Sequence, residues 1–92
     1  MKEDEIRAIF SKNYKSAFLE SCIYLKDLDL YELNIDFDPN EKDPHNKPIF
    51  DSLICINGTT KEIELLHLDD YLDYNGPEIT IFSSKEKVSR AS

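Results

Sequence analysis

A strict alternation of apolar and polar side chains in residues 31–38 constrains the fold of this chain more than any other feature. Successive side chains of a β-strand point to opposite faces of the sheet, so a period of two predicts one apolar face and one polar face. The apolar positions are Leu33, Ile35 and Phe37, and the polar positions are Glu32, Asn34, Asp36 and Asp38. The sequence therefore predicts a strand with one dry face and one face that carries three carboxylates.

Residues 49–56 and 61–68 are predicted to form two further strands. The first is strongly apolar towards its end, as expected of a strand in the middle of a sheet. Asn57-Gly58 lies between the two segments, and Asn-Gly between apolar runs is a strong signal for a β-hairpin. In the second segment, Glu62 and Glu64 alternate with apolar residues and extend the acidic face.

A helix is the competing interpretation for the segment after this turn. Thr59 and Glu62 have the spacing of a capping box, and Asn75-Gly76 is a typical helix end. The helix would then include residues 59–74. Because of the hairpin signal, we favour a strand to residue 68 followed by a short helical turn over residues 69–74.

Residues 3–25 are predicted to be helical. Apolar side chains recur there at steps of three and four residues, which places them on one stripe of a helix. Glu3, Asp4 and Glu5 lie at its start, where the positive end of the helix dipole favours acidic side chains. Residues 11–13 are a weak point, and the alternative is a pair of helices divided there.

The predicted fold class is α+β, with residues 1–92 forming a single domain. An N-terminal helix, or helix pair, packs on a mostly antiparallel sheet of three or four strands. The sheet spans residues 31–83, and its last strand covers residues 78–83. Residues 38–48 contain three prolines and no apolar side chain, which predicts a long surface loop. Residues 84–92 are predicted to be a frayed basic tail.

The acidic residues are concentrated in the sheet and its loops. The chain carries a net charge of −8, but residues 27–78 contain fourteen acidic residues and three lysines, a net charge of −11. Such a field repels nucleic acid and anionic membranes and attracts a basic partner. Charge also keeps a small protein in solution, but solubility alone does not require the acids to cluster.

Cys22 and Cys55 are predicted to be buried free thiols, because both have apolar neighbours and lie 33 residues apart. A disulfide between them is the alternative for an exported chain. The first residues lead into no apolar segment of a signal peptide, and no stretch has the length of a membrane span. A cytoplasmic location without membrane contact is therefore expected.

The region around residue 36 only partly resembles a calcium-binding loop. Asp36, Asp38 and Asn40 have the spacing of its first ligands. Glu41 and Lys47 occupy the positions at which the motif requires glycine and glutamate. The sequence therefore predicts no metal site.

His67 is a candidate for acid–base chemistry, because it lies close in sequence to Asp69 and Asp70. It could also approach Cys55 across the predicted hairpin, but a catalytic cysteine needs an exposed, activated thiol. A histidine at a sheet edge without a catalytic role is far commoner. We expect no enzyme activity and no cofactor.

Residues 69–75 combine three carboxylates with two tyrosines. Acidic side chains complement basic partners, and tyrosine is enriched at the centres of protein interfaces. The alternative is that Tyr71 and Leu72 anchor a short turn to the core while the aspartates face water.

The leading functional hypothesis is a small acidic stoichiometric inhibitor that binds and occludes a basic protein. Candidates are an immunity protein that neutralises a nuclease toxin and a phage-encoded inhibitor of a nucleic-acid-binding enzyme. Carboxylates would take the place of substrate phosphates, and no direct binding of nucleic acid is expected. The residues predicted to contact the partner are Asp36, Asp38, Glu62, Glu64, Asp69, Asp70, Tyr71, Asp73 and Tyr74.

A small regulatory or assembly module is the competing hypothesis. It would be a homodimer joined through a sheet edge, with acidity that serves only solubility. A third hypothesis is a small hydrolase that uses His67 with a neighbouring carboxylate. The three differ in oligomeric state, in the salt dependence of partner binding and in the effect of His67→Ala.

Overall fold

The computed structural model describes residues 1–84. These residues form a sheet with a helix against it, an α+β fold as predicted, with five strands instead of three or four. Two short 3-10 turns, Lys26–Leu28 and Pro44–Asn46, lie between strands. In chain order the longer elements are α1 (Glu3–Asn13), β1 (Phe18–Leu25), β2 (Leu30–Asp36), β3 (Ser52–Asn57), β4 (Ile63–His67), α2 (Leu68–Leu72) and β5 (Glu78–Ser83).

The strands of the described residues lie in the order β4-β3-β2-β1-β5, and each neighbouring pair is antiparallel. The last strand, β5, pairs with β1, so β4 and β5 lie at opposite edges and run in the same direction. Residues 68–77 connect these edges and therefore cross one face of the sheet. We call this segment, which includes α2, the crossover.

The predicted helix over residues 3–25 is wrong beyond Asn13. Tyr14 leaves the helix with extended backbone angles, φ −131° and ψ 113°. The chain then forms β1, which lies between β2 and β5. Residues 11–13 were therefore correctly identified as a weak point, but a strand follows them instead of a second helix.

Buried residues recur at every third position of β1, and this spacing is close to that of an apolar stripe on a helix. Leu19, Cys22 and Leu25 are all buried. A β-bulge shifts the register between Leu19 and Ser21, so Leu19 and Cys22 both contact the α1 side of the sheet. Leu25 belongs to a cluster on the opposite face. Because both faces of β1 are covered, its apolar spacing resembles that of a helix.

The sheet has an apolar cluster on each face, which corrects the prediction of one dry and one acidic face. On one face, Leu33 packs with Ile6 and Phe10 of α1, as its place in the alternation predicts. The opposite face is covered in part by Tyr71 and Tyr74 of the crossover. The buried residues beneath these tyrosines are Leu25, Leu30, Cys55 and Leu66.

The strand interpretation of residues 61–68 is confirmed, and a helix over residues 59–74 is wrong. β4 pairs with β3, and α2 begins only after His67. The side chain of Asn57 shapes the turn between the strands, because its Oδ1 accepts hydrogen bonds from the N–H groups of Thr59 at 2.8 Å and Thr60 at 3.0 Å.

The loop over residues 38–48 is attached to the end of α1. The ring of His45 stacks on Tyr14 with 5.0 Å between centroids, and its Nε2 lies 2.7 Å from the carbonyl oxygen of Asn13. Asn46 is buried, and its Oδ1 accepts a hydrogen bond from the N–H of Lys15 at 3.3 Å. The loop is thus a packed part of the fold.

The prediction of buried free thiols is confirmed. Cys22 packs on the α1 face and Cys55 on the crossover face, so the sheet separates them. Burial raises the pKa of each thiol to about 12. Within residues 1–84, no helix combines the length and apolar character needed to cross a membrane. Of the predicted tail, only Ser84 lies within the described residues, and its N–H donates to the carbonyl oxygen of Glu20 at 2.8 Å.

Candidate functional site

The crossover and the turn between β1 and β2 enclose a groove of about 640 Å³. Two of its acidic residues, Asp70 and Asp73, belong to the crossover, and the third, Asp27, belongs to the turn. The remaining lining residues are Leu28, Leu66, Tyr74, Asn75 and Gly76. We call this feature the acidic groove.

The position of α2 sets the direction of two of the groove's carboxylates. Asp70 and Asp73 are three residues apart, so they lie on the same side of the helix. Tyr71 packs on the buried cluster beneath. At the start of α2, Nδ1 of His67 accepts a hydrogen bond from the N–H of Asp69 at 3.1 Å. Both ends of the helix are therefore held on the sheet.

Tyr74 fixes the crossover to the turn on the other side of the groove. Its hydroxyl accepts a hydrogen bond from the N–H of Asp27 at 3.2 Å and donates to the carbonyl oxygen of Pro77 at 2.7 Å. A Cβ on Gly76 would collide with the Asp27 carboxylate and the Tyr74 hydroxyl. Glycine at this position therefore permits the close approach that shapes the groove.

The groove has the chemistry of a receptor for a basic side chain. In the described part of the chain, its lining includes three carboxylates and no lysine or arginine. Leu28 and Leu66 provide an apolar surface for the aliphatic part of a lysine or arginine, and the Tyr74 ring can contact the cationic head group. Across residues 1–84, no three His, Cys, Asp or Glu side chains are arranged to hold a metal ion.

Six of the predicted site residues lie outside the acidic groove, and four of these, Asp36, Asp38, Glu62 and Glu64, do not belong to the crossover. Glu62 lines a separate cleft with Lys12 and Lys61, and Lys61 forms an ion pair of 3.4 Å with Glu5. This cleft has mixed charge, so it is a poorer site for a basic partner. Glu64 accepts a hydrogen bond from Asn57 at 3.0 Å.

The other two predicted residues outside the crossover are Asp36 and Asp38, which lie at or just beyond the C-terminal end of β2. The turn that lines the groove precedes Leu30, the first residue of β2, and Asp36 is the last residue of that strand. At about 3.4 Å per residue, these two ends are roughly 20 Å apart. Asp38 accepts a hydrogen bond from the N–H of Asn40 at 2.9 Å. The groove thus unites only Asp70, Asp73 and Tyr74 of the predicted set.

The two tyrosines predicted as partner contacts are used in the packing of the chain itself. Tyr71 and Tyr74 are half-buried on the sheet, whereas the side chain of Leu72 is 69% exposed. Asp69 is exposed on α2. The alternative in which both Tyr71 and Leu72 anchor the turn to the core is therefore correct for Tyr71 and wrong for Leu72.

Sequence reasoning missed Asp27 and Leu28, which complete the groove. No local pattern links them to residues 70–76. Their proximity follows from the pairing of β5 with β1, which brings Pro77 to Lys26, where the two are joined by a backbone hydrogen bond of 3.2 Å. This long-range pairing gave no signal in the sequence.

His67 and Cys55 do not approach each other. The β3–β4 ladder places His67 opposite Ser52 and Cys55 opposite Glu64. Residues three steps apart on a ladder lie on opposite faces of a sheet. His67 is therefore a helix-capping residue in this fold, with Asp69 Oδ2 at 3.8 Å from its Nδ1.

Comparison of the chain with protein-family models, with curated proteins and with solved structures finds no match in any of the three.

Proposed function

We propose that this chain is a small acidic stoichiometric inhibitor that binds and occludes a basic protein. An immunity protein that neutralises a nuclease toxin and a phage-encoded inhibitor of a nucleic-acid-binding enzyme are the two forms that fit this chemistry. The observation that carries the proposal is the acidic groove, in which Asp27, Asp70 and Asp73 surround an apolar floor. A lysine or arginine of the partner would fill it.

The mechanism is occlusion by charge mimicry. A nuclease or nucleic-acid-binding enzyme holds substrate phosphates with lysine and arginine side chains. The carboxylates of the groove and of α2 would occupy those side chains in place of phosphates. The net charge of −11 in residues 27–78 would attract such a partner from a distance and speed its association. A standard interface of about 800 Å² per partner is feasible on a protein of this size.

The test is recovery of a partner by immobilised protein from a cell lysate at low and at high salt. The groove variant is Asp70→Lys/Asp73→Lys. The matched control is Asp36→Lys/Asp38→Lys, which makes the same change in net charge about 20 Å away. We expect the wild type and the control to recover the same basic protein at low salt and the groove variant to lose it.

The recovered protein is then assayed for its own activity with increasing amounts of this chain. A stoichiometric inhibitor reduces the activity to zero at one equivalent. Equal loss of binding in both charge variants would show that only net charge matters and would contradict a role for the groove. Binding without any loss of the partner's activity would contradict inhibition.

A homodimeric assembly module is the second candidate, and the edge of the sheet favours it. β4 is an edge strand of the described sheet, and Leu65 on it is 52% exposed. Pairing of β4 with its copy would cover that leucine. Sedimentation at high salt separates the candidates, because a dimer keeps twice the monomer mass whereas the free inhibitor is a monomer. Leu65→Lys should return such a dimer to the monomer.

A further inference from the structure

Two leucines are exposed one turn apart at the end of the crossover that follows β4, and Phe50 is exposed in the segment that precedes β3. Phe50 is 89% exposed, Leu72 69% and Leu68 37%. Leu68 and Leu72 lie one turn apart on α2, on the same side of the helix. The N–H of Leu68 donates to the carbonyl oxygen of Asp51 at 2.9 Å, which joins the start of α2 to the segment before β3. We call Leu68 and Leu72 the leucine patch.

The leucine patch does not contribute to either core cluster of the described residues. The crossover is attached to the sheet by Tyr71 and Tyr74 instead. Isolated exposed apolar residues are common on protein surfaces. Here, however, two of them lie together on one side of α2, and neighbouring exposed apolar side chains are characteristic of interaction sites.

The charges around the patch identify the kind of partner that would cover it. Asp69 and Asp73 adjoin the patch in sequence, Asp70 lies on the same short helix, and Asp51 is joined to Leu68 by a backbone hydrogen bond. Between residues 48 and 84, the sequence contains one lysine, Lys61, one histidine, His67, and no arginine. A surface with an apolar centre and an acidic rim is complementary to one with an apolar centre and a basic rim.

We propose that the leucine patch is the apolar anchor of the interface with a basic protein, and that Leu72 is its central residue. This inference rests on the proposed function and deepens it. The partner would insert an apolar side chain against Leu68 and Leu72 while its lysines and arginines meet the surrounding aspartates. Tyr71 and Tyr74 act indirectly, since they hold α2 in the position that exposes Leu72.

The test uses two fluorescent peptides with the same number of arginines, one alternating with leucine and the other with serine. Both should bind the wild type with an affinity that falls as salt rises, and the leucine peptide should bind more tightly. Leu72→Ser should weaken the leucine peptide about tenfold, as expected from the loss of one buried leucine, and leave the serine peptide unchanged. Leu65→Ser, a matched change at a 52% exposed leucine, should affect neither.

The outcomes separate the inference from the function on which it rests. If both peptides bind but Leu72→Ser does not weaken the leucine peptide, the leucine patch is not the anchor and the proposed function stands. If neither peptide binds, the proposed function fails and the inference fails with it. If the protein is a dimer that Leu72→Ser disperses, a second copy of this chain covers the patch, and the inference is overturned.

Discussion

Glu32 of β2 lies on the same face of the sheet as Tyr71 of the crossover, because it pairs with Cys55 of the cluster on which Tyr71 packs. The charge of Glu32 is the largest influence on the pKa of Tyr71, which it raises. Glu32 is half-buried, and its Oε1 has no hydrogen-bond partner among the described residues. Burial, together with the like charge of Glu78, raises the pKa of Glu32 itself.

We predict that Glu32→Gln makes the protein more stable than the wild type at neutral pH. A carboxyl whose pKa is raised in the folded state favours folding while it is protonated. That contribution is complete below the ordinary pKa of 4.5 and is lost as the pH rises through the raised folded-state value. The advantage of the variant in free energy of unfolding should therefore vanish in acid and appear towards neutrality. Urea denaturation across this range measures it, with the exposed Glu62→Gln as control.

Tyr74→Phe should lower the free energy of unfolding by about 1 kcal/mol, because it removes the hydrogen bonds to Asp27 and Pro77. The matched control is Tyr14→Phe. The Tyr14 hydroxyl makes no hydrogen bond within residues 1–84, and its ring stacking is retained by phenylalanine. Denaturant unfolding compares the two variants. Equal stability losses would show that the crossover is not held by this hydroxyl.

Asn46→Ala should lower the free energy of unfolding by about 1 kcal/mol, since it removes the hydrogen bond between the buried Asn46 side chain and the N–H of Lys15. Asn40→Ala in the same loop changes an exposed residue and should have little effect. Thermal unfolding of both variants provides the comparison. A negligible effect of Asn46→Ala would mean that the loop is not attached to α1 through this side chain.

Cys22 and Cys55 should not react with a thiol reagent at mildly alkaline pH while the protein is folded. Both are buried, and burial raises the pKa of each to about 12, so little thiolate forms. Phe50→Cys, at an 89% exposed position, should react at once and serves as the positive control. Rapid labelling of two thiols in the native wild type would contradict the packing described here.

Association with the recovered basic partner should slow about tenfold or more as salt rises from low to physiological concentration, because long-range attraction is screened. Asp70→Asn/Asp73→Asn should reduce this salt dependence, since it removes two of the charges that produce it. Stopped-flow mixing measures the rates, and Asp36→Asn/Asp38→Asn is the charge-matched control. A rate that does not change with salt would exclude electrostatic steering.

The strands with clear local patterns were predictable from the sequence, and β1 was not. Residues 31–38 and 78–83 were placed well because alternation and a preceding proline are local signals. In β1, a bulge and burial on both faces gave the three-residue spacing of a helix. The free, buried state of Cys22 and Cys55 was also predictable from their apolar neighbours.

The candidate site was predictable only in part. The density of acids and tyrosines in residues 69–75 marked the crossover, and Asp70 and Asp73 do line the groove. Asp27 lines the groove because β5 pairs with β1, and that pairing depends on the topology of the whole sheet. The exposure of Leu72 and the burial of Tyr71 depend on how α2 is rotated on the sheet, and composition carries no information on that rotation.

The pairing of β5 with β1 also affects how this protein is made. β1 is synthesised early, and its second neighbour is completed near the end of the described chain. At about 5–20 residues per second, a ribosome needs roughly 3–10 s to extend the nascent chain from Leu25 to Glu78. During that time one edge of β1 is open to pairing with other nascent chains. Until β5 pairs with it, this edge of β1 is the part of the unfinished sheet that is most open to aggregation.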